Sequence, residues 1–367
     1  MPGVAAAVAP AAGSKLFLTI DKAIQQIATK ELQRMVNDYR ARGGYVIMAD
    51  PKTGAIRALA EVSAHADPRN KTDPANERSR LLADVFEPGS ILKPIVAMTA
   101  LDCGVASPDT AFDCGQGMWV YAGRALRDPH PYGKLTLHDI VAKSSNIGTA
   151  RIAVAIGQQR LYESLLRLGF GAPTGMGLPG EPSGLVPALA QWDDLAFTRI
   201  AIGQGIQVTA LQLVQAYCAI ANRGMMPQLR LVDHTEDTAT GRSEANPPRL
   251  KGRVVSEKAA QDITEALKSV TQDGGTAPKA AVSGRQVAGV TCSAQKMVNG
   301  GYSMGKFVAG FVGFVPADAP AFVLLVMADE PGAVAYYGGT VAAPTFSRIA
   351  GKTLEYLAVS PVKSDAR

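Results

Sequence analysis

The stretch from Phe86 to Lys93, Phe-Glu-Pro-Gly-Ser-Ile-Leu-Lys, holds the residue pair with the clearest chemical potential. Pro88 and Gly89 break the preceding segment, and Ser90 stands where a helix begins. Ser90 and Lys93 are three residues apart, which on a helix leaves roughly 5–6 Å between their Cβ atoms. A serine hydroxyl becomes a nucleophile when an adjacent base takes its proton, and a lysine amine is such a base where burial lowers its pKa. The pair indicates a serine nucleophile, unless Ser90 is only a helix N-cap and Lys93 a surface residue.

The Ser-x-x-Lys pattern occurs four times, at 90–93, 293–296, 303–306 and 360–363, so the spacing alone is weak evidence. The copy from Ser293 to Lys296 lies in a predicted strand, where an odd separation points the two side chains to opposite faces. The copy at 303–306 follows an Asn-Gly-Gly-Tyr turn. Only the copy at 90–93 has a predicted helix beneath it.

Composition bounds the class of protein. The chain has 367 residues, 47% of them apolar and 19% charged, which is typical of one large globular domain or two small ones. The net charge is +5 without a basic block, so nothing favours nucleic acid as a partner. The apolar runs are too short to span a bilayer, and residues 1–13 lack the basic start of a signal peptide. From these features we expect no export signal or anchor within the sequence as written.

Four cysteines, at positions 103, 114, 218 and 292, form no CxxC or Cys/His cluster. This spacing predicts no metal site, and no motif implies a cofactor. Cys103 and Cys114 are near enough in sequence to form a disulfide, but two unpaired thiols fit the sequence equally well.

Periodicity predicts the elements that must position the pair. Strand patterns flank a turn at 50–54, and three β-branched segments follow in the last third, at 286–295, 306–315 and 321–329. Because a lone hairpin is marginal, the early hairpin and the late strands are expected to form one five-stranded, mostly antiparallel sheet. Helical spacing appears at 21–40, 136–143, 158–168, 209–222, 256–270 and 344–357. The predicted fold class is α/β (α+β), a sheet flanked by helices plus a helical lobe, with 234–251 as an exposed loop.

A second polar cluster, Ser144-Ser145-Asn146, lies in a tight link between two predicted helices. It offers a hydroxyl and an amide that could orient Lys93 and carry protons. A helix C-cap followed by an N-cap would also explain these residue types.

Ser-x-x-Lys, Ser-x-Asn and a later Lys-Thr-Gly strand are the motif set of penicillin-binding proteins and serine β-lactamases. The chain resembles the transpeptidase domain of class B penicillin-binding proteins of the division-specific (FtsI) type over roughly residues 15–358. The resemblance implies a transpeptidase domain at 15–360, between a disordered leader at 1–14 and a tail at 361–367. The matching stretches, in the family's order, are Phe86–Pro94, Arg127–Thr136, Lys143–Gly148, Gly177–Gly184, Ile202–Gly205, Gly274–Ala277, Val308–Pro316 and Tyr336–Pro344.

The resemblance also implies roles for individual residues. Ser90 would attack the D-Ala-D-Ala carbonyl of a peptidoglycan stem peptide, and Lys93 would take its proton. Ser144 and Asn146 would relay protons and hold the peptide. Backbone N–H groups, including that of Ser90, would form an oxyanion hole, and the amine of a neighbouring stem peptide would resolve the acyl-enzyme. β-Lactams would acylate Ser90.

The third motif departs from the family. The family reads Val-Ala-Gly-Lys-Thr-Gly-Thr-Ala, whereas Val287 to Ala294 reads Val-Ala-Gly-Val-Thr-Cys-Ser-Ala. Val290 replaces a lysine that supplies positive charge, and Cys292 replaces a glycine that lets a substrate strand lie against the backbone. A cysteine side chain could obstruct that approach, and we expect Cys292 to have an ordinary pKa and low reactivity. The resemblance implies that this strand binds the substrate through Thr291, Ser293, Val290 and Cys292, of which only Thr291 and Ser293 keep a hydroxyl.

Substitutes for the missing lysine are not evident. Lys296 is six residues from Val290, about 20 Å along a strand, and Arg285 faces the other way. Lys52-Thr53-Gly54 is a literal Lys-Thr-Gly, but it follows Asp50-Pro51 and is predicted to be a plain turn.

The expected function is a peptidoglycan D,D-transpeptidase domain acting at division through a Ser90 acyl-enzyme. One alternative is a catalytically impaired relative that serves as a scaffold, because the third motif reads Val290-Thr291-Cys292. Another is a β-lactam-hydrolysing or β-lactam-sensing enzyme on the same fold. The expected partners are stem peptides, β-lactams and other division proteins, at the periplasmic face of the inner membrane where the family works.

Overall fold

The computed structural model describes residues 13–64, 79–298, 301–332 and 335–359. Its centre is a five-stranded sheet made of β2 (Gly43–Ala49), β3 (Ile56–Ser63), β12 (Ala288–Val298), β13 (Gly301–Val315) and β14 (Phe322–Asp329). The strand order is β12-β13-β14-β2-β3, and every neighbouring pair is antiparallel. The predicted sheet is therefore confirmed, with β12 and β3 at its edges.

Helices cover both faces of this sheet, because alternate residues of the central strands are apolar and point to opposite sides. Val46 and Met48 of β2 pack with the first and last helices, whereas Ile47 packs with the helical lobe. The helices are α1 (Lys22–Asp38), α2 (Arg80–Ala83), α3 (Lys93–Asp102), α4 (Leu137–Lys143), α5 (Asn146–Ile156), α6 (Gln158–Arg167), α7 (Asp194–Ala201), α8 (Ala210–Ala221), α9 (Glu257–Ser269), α10 (Gly338–Val341) and α11 (Ala343–Tyr356). The helices predicted from periodicity are all present within one or two residues of their expected ends.

The segment 234–251 differs from its prediction as a loop. It contributes to three short strands, β9 (Val232–Asp237), β10 (Ser243–Ala245) and β11 (Leu250–Arg253), in small sheets outside the main one. The first strand, β1 (Ser14–Leu18), pairs with β9, and this pairing satisfies backbone N–H and C=O groups of both strands. A hydrophilic sequence pattern does not reveal such a pairing. The remaining short strands are β4 (Ala111–Asp113), β5 (Met118–Tyr121), β6 (Arg124–Arg127), β7 (Lys134–Thr136) and β8 (Met225–Pro227).

The cysteines are all unpaired, including Cys103 and Cys114. Within the described ranges, no group of His, Cys, Asp or Glu is arranged to hold a metal ion. No helix in the same ranges has the length and apolar character needed to cross a membrane. Apart from residues 13 and 14, the predicted leader and the tail at 361–367 lie outside the described residues.

Candidate active site

Ser90 lies in a short 3₁₀ helix, Gly89–Leu92, that leads directly into α3. Ser90 is thus one turn before the α-helix rather than its N-cap, and Lys93 is the first residue of α3. The turn is anchored on two sides. The buried Tyr217 hydroxyl of α8 donates to the carbonyl of Ile91 at 2.8 Å, and the N–H of Gly89 donates to the carbonyl of Gly203 at 3.1 Å.

The Lys93 amine is buried, with 3% of the residue exposed. Its Nζ donates to the Ser144 carbonyl at 2.6 Å, to the Ser144 Oγ at 3.1 Å and to the Asn146 Oδ1 at 2.6 Å. These acceptors take all three ammonium hydrogens. Ser90 Oγ is not among the partners of Lys93 within the described residues. The structure therefore brings Lys93 into hydrogen-bonding contact with Ser144 and Asn146. Ser90 lies one helical turn before Lys93 along the chain and is not hydrogen-bonded to its amine.

Burial also sets the protonation of Lys93. It lowers the pKa of the ammonium to about 8, against the opposing pull of the Asp128 carboxylate. A lysine with such a pKa is partly neutral near physiological pH, which a general base requires. In the neutral form the amine has a lone pair, and the Ser144 hydroxyl can then donate to it instead of accepting.

The Ser144–Asn146 turn is held by its own geometry. Ser144 ends α4 in a left-handed conformation, with φ at 54°. The Ser145 Oγ caps α5 by accepting from the N–H of Gly148 at 2.9 Å. A side chain at Gly148 would come within 2.5 Å of Ile140, so the close packing of α4 on α5 requires glycine there. The predicted caps are therefore present, and they aim the Asn146 amide oxygen at Lys93.

Ser90 and Asn146 open onto one cleft of about 290 Å³. None of its described lining residues is a lysine or an arginine, and Glu87 is acidic. An anionic group in the cleft would therefore meet hydroxyl and backbone groups rather than a basic side chain. The lining residues are Glu87, Gly89, Ser90, Asn146, Ile202, Gly203, Gln204, Ser293, Ala294, Gln295, Tyr302 and Phe307.

Strand β12 forms one wall of the cleft and is an edge strand, so one row of its backbone groups is not paired within the sheet. Ser293 is exposed in the cleft, and its Oγ accepts from the N–H of Gly338 at 2.9 Å. Thr291 is buried, and its hydroxyl lies 3.3 Å from that of Thr276. Only Ser293 of this strand's two hydroxyls therefore faces the cleft directly.

Val290 and Cys292 point into the protein, with 1% and 0% of their surface exposed. A Cβ placed on Gly89 would lie 3.4 Å from the Cys292 Sγ, so the thiol packs beneath the Ser90 turn. The obstruction of the cleft that a cysteine could cause is therefore not what the structure shows. Burial raises the pKa of Cys292 to about 12, so its pKa is not ordinary, although the thiol remains a poor nucleophile.

No substitute takes the place of the missing lysine in the described structure. The Lys296 ammonium, further along β12, is paired with Asp329 at 2.7 Å and with Glu330 at 2.8 Å, so it is not free to serve the cleft. Arg285 donates to backbone carbonyls at 283 and 359. The Lys52-Thr53-Gly54 sequence is a turn, as predicted, in which Asp50 accepts from the N–H groups of residues 52 and 53.

Sequence reasoning gave no role to three polar residues near the site, Asp128, Glu87 and Tyr302. Asp128 accepts hydrogen bonds from the Ser145–Ile147 segment. Glu87 accepts from the N–H of Gly205 at 2.7 Å and from the Tyr302 hydroxyl at 3.0 Å. The Asp-Pro pair that begins the 128–133 loop predicts a turn. It does not predict the hydrogen bonds from Asp128 to residues 145–147, because these segments are far apart in the sequence.

Gly203 provides a test of how tightly the Ser90 turn is held. A Cβ there would lie 2.2 Å from the carbonyl oxygen of Gly89, so Gly203→Ala must displace the turn. We expect Gly203→Ala to slow the acylation of Ser90 by a β-lactam by about 10- to 100-fold relative to the wild type. Gly123→Ala is the control, because Gly123 has a similar positive φ and no atom near its Cβ position. Equal acylation rates for the two variants would contradict this account of the turn.

Comparison with known proteins agrees with this geometry. The family model for the penicillin binding protein transpeptidase domain matches residues 44–351. The probable peptidoglycan D,D-transpeptidase PenA of Neisseria gonorrhoeae is 35% identical over 357 residues, covering 97% of this chain and 59% of that protein. Peptidoglycan D,D-transpeptidase FtsI of Escherichia coli K12 is 33% identical over 352 residues, covering 95% and 58%. The chain thus spans less than two thirds of the length of these curated relatives.

Solved structures show the same fold. The transpeptidase domain of Burkholderia pseudomallei penicillin-binding protein 3 is 33% identical, with a TM-score of 0.83, and the match covers 95% of this chain and 98% of that one. Penicillin-binding protein 3 of Mycobacterium tuberculosis, complexed with aztreonam, is 32% identical, with a TM-score of 0.86 and coverage of 97% and 82%. The chain belongs to the penicillin-binding protein transpeptidase family and is of the class B, FtsI type.

Proposed function

We propose that this chain is the D,D-transpeptidase domain of a division-type peptidoglycan synthase, with Ser90 as its nucleophile. The observation that carries the proposal is the buried Lys93 amine, which is one turn from Ser90 and bound to Ser144 and Asn146 behind the cleft. An amine in a dry site can be neutral, and a neutral amine can accept the proton of a serine hydroxyl.

The reaction would proceed in two acyl transfers. Ser90 Oγ attacks the carbonyl carbon between the two D-Ala residues, and its proton passes to the Lys93 amine, directly or through the Ser144 hydroxyl. The first-turn N–H of Ser90 has no partner within the 3₁₀ helix and is free to donate to the oxyanion. The D-Ala amine leaves with the proton that Lys93 took up. The amine of a second stem peptide then attacks the Ser90 ester and loses a proton, which passes by way of Lys93 to Ser90 Oγ, so that the crosslink forms and the hydroxyl is restored.

Other polar groups would position the substrate. The edge strand β12 is suited to an extended peptide, which would add as a further strand. Ser293 would hydrogen-bond it within the cleft, and Asn146 would hold its backbone. Thr291, Val290 and Cys292 would act from beneath, by shaping the strand. We further propose a domain at 15–360, stem peptides, β-lactams and other division proteins as partners, and a location at the periplasmic face of the inner membrane.

Labelling with fluorescent penicillin tests the proposal, with Ser90→Ala and the exposed Ser243→Ala as matched variants. We expect the wild type and Ser243→Ala to be labelled and Ser90→Ala to remain unlabelled. A folded wild type that is never labelled would overturn the proposal in favour of the scaffold, which the altered Val290 and Cys292 positions suggest. Rapid release of hydrolysed penicillin would instead indicate a β-lactamase or a sensor.

A further inference from the structure

Asp128, in the loop after β6, has a carboxylate that contacts the Ser144–Asn146 turn at several points. Its Oδ2 accepts from the Ser145 Oγ at 2.6 Å, and its Oδ1 accepts from the N–H groups of Asn146 and Ile147. The N–H groups in the first turn of α5 have no helical partner. A carboxylate at this end of a helix is also stabilised by the helix dipole. Asp128 thus fixes both the conformation and the position of the turn.

Arg127, which precedes Asp128, also fixes the orientation of the Asn146 side chain. The Asn146 Nδ2 donates to the carbonyl of Arg127 at 2.9 Å, which leaves the Oδ1 directed at the Lys93 amine. An amide that is free to rotate could turn its nitrogen toward Lys93 and lose that hydrogen bond. The Arg127–Asp128 pair therefore determines which end of the amide faces Lys93.

Asp128 is also a charge that acts on Lys93. Among the described residues, the titratable groups that influence Lys93 are Asp128, from the loop, and Cys292, from β12. Cys292 is a neutral thiol at physiological pH, because burial raises its pKa. With valine at position 290, this wall of the site contributes no cation to oppose the carboxylate.

We propose that Asp128 is a positioning residue, whose carboxylate holds the Ser144–Asn146 turn against Lys93 and serves as the counter-charge of the Lys93 amine. The role rests on the proposed function, since it matters for catalysis only if Ser90 and Lys93 react. The carboxylate stabilises the protonated amine in the resting site. Its contacts with the turn keep the hydrogen-bond acceptors in place for the amine in both protonation states.

Two variants separate the effect of the Asp128 charge from the effect of its hydrogen bonds to the Ser144–Asn146 turn. Asp128→Asn has nearly the same shape and keeps an oxygen for the N–H groups of Asn146 and Ile147, but it removes the charge. Asp128→Ala removes the acceptors as well. Asp113→Asn is the control, because Asp113 caps a nearby turn through the N–H of Gly115 and does not influence Lys93.

The titration of Lys93 is read by NMR of ¹³C-lysine-labelled protein, with the signal assigned from Lys93→Arg. We expect Lys93 to titrate at lower pH in Asp128→Asn than in the wild type, and at an unchanged pH in Asp113→Asn. We also expect Asp128→Ala to be acylated about 10- to 100-fold more slowly than the wild type. An unchanged Lys93 titration in Asp128→Asn would overturn the inference, as would wild-type acylation of Asp128→Ala. A wild type that penicillin never acylates would instead refute the proposed function, and the titration would still decide the role of Asp128.

Discussion

Lys93→Gln is expected to slow the acylation of Ser90 by penicillin by about 10²- to 10⁴-fold, the usual contribution of a general base. Glutamine can replace part of the hydrogen bonding to Ser144 and Asn146, but its amide cannot accept a proton near neutral pH. The substitution therefore removes the base while it retains most of the packing in a site where Lys93 is 3% exposed.

Stopped-flow or quenched-flow acylation measures this rate, and Lys134→Gln on β7 is the matched control because Lys134 is exposed. The control should react at the wild-type rate. Should Lys93→Gln react within a fewfold of the wild type, another group must activate Ser90. Circular dichroism and thermal unfolding would establish that both variants are folded.

The second large effect is expected from restoring the family residues on β12, by combining Val290→Lys with Cys292→Gly. An added ammonium would supply a charged hydrogen bond, worth about 1.5–3 kcal/mol, or a rate gain of roughly 10- to 100-fold if it acts in the transition state. A second positive charge near Lys93 would also lower the pKa of Lys93 and increase its neutral fraction. We therefore expect faster acylation at neutral pH.

Restoration has a structural cost. Val290 and Cys292 are both buried, so the variant places an ammonium in an apolar cluster and leaves a space beneath Gly89. We expect the free energy of unfolding to fall by a few kcal/mol. Val290→Met with Cys292→Gly is the control that removes the same packing without adding charge. Equal acylation rates for the methionine and lysine versions would show that the missing charge is not what limits this site.

The sheet was predictable because its pattern is local. Alternating and continuous apolar segments predict the hairpin at 43–63 and the three late strands. Such strands bury their apolar faces by pairing into one sheet that helices cover. The small sheet at 232–245 was not predictable, since its short polar strands carry no hydrophobic period.

The site was predictable only in part. The motif spacing indicates Ser90, Lys93, Ser144 and Asn146, and the structure places Lys93 against Ser144 and Asn146. The directions of Val290 and Cys292 were not evident, because a strand's pattern does not say which face turns toward a cleft when both faces are buried. Asp128 was missed since its contacts are tertiary.

The pH dependence of Ser90 acylation is the most direct test of the central claim, that a buried Lys93 amine activates Ser90. Deprotonation of Lys93 creates the base, so the acylation rate should rise with pH. We expect a midpoint near the Lys93 pKa of about 8, well below the 10.5 of an ordinary lysine, and we expect Lys93→Gln to abolish the rise. A rate that does not change with pH, or a midpoint near 10.5, would contradict this claim.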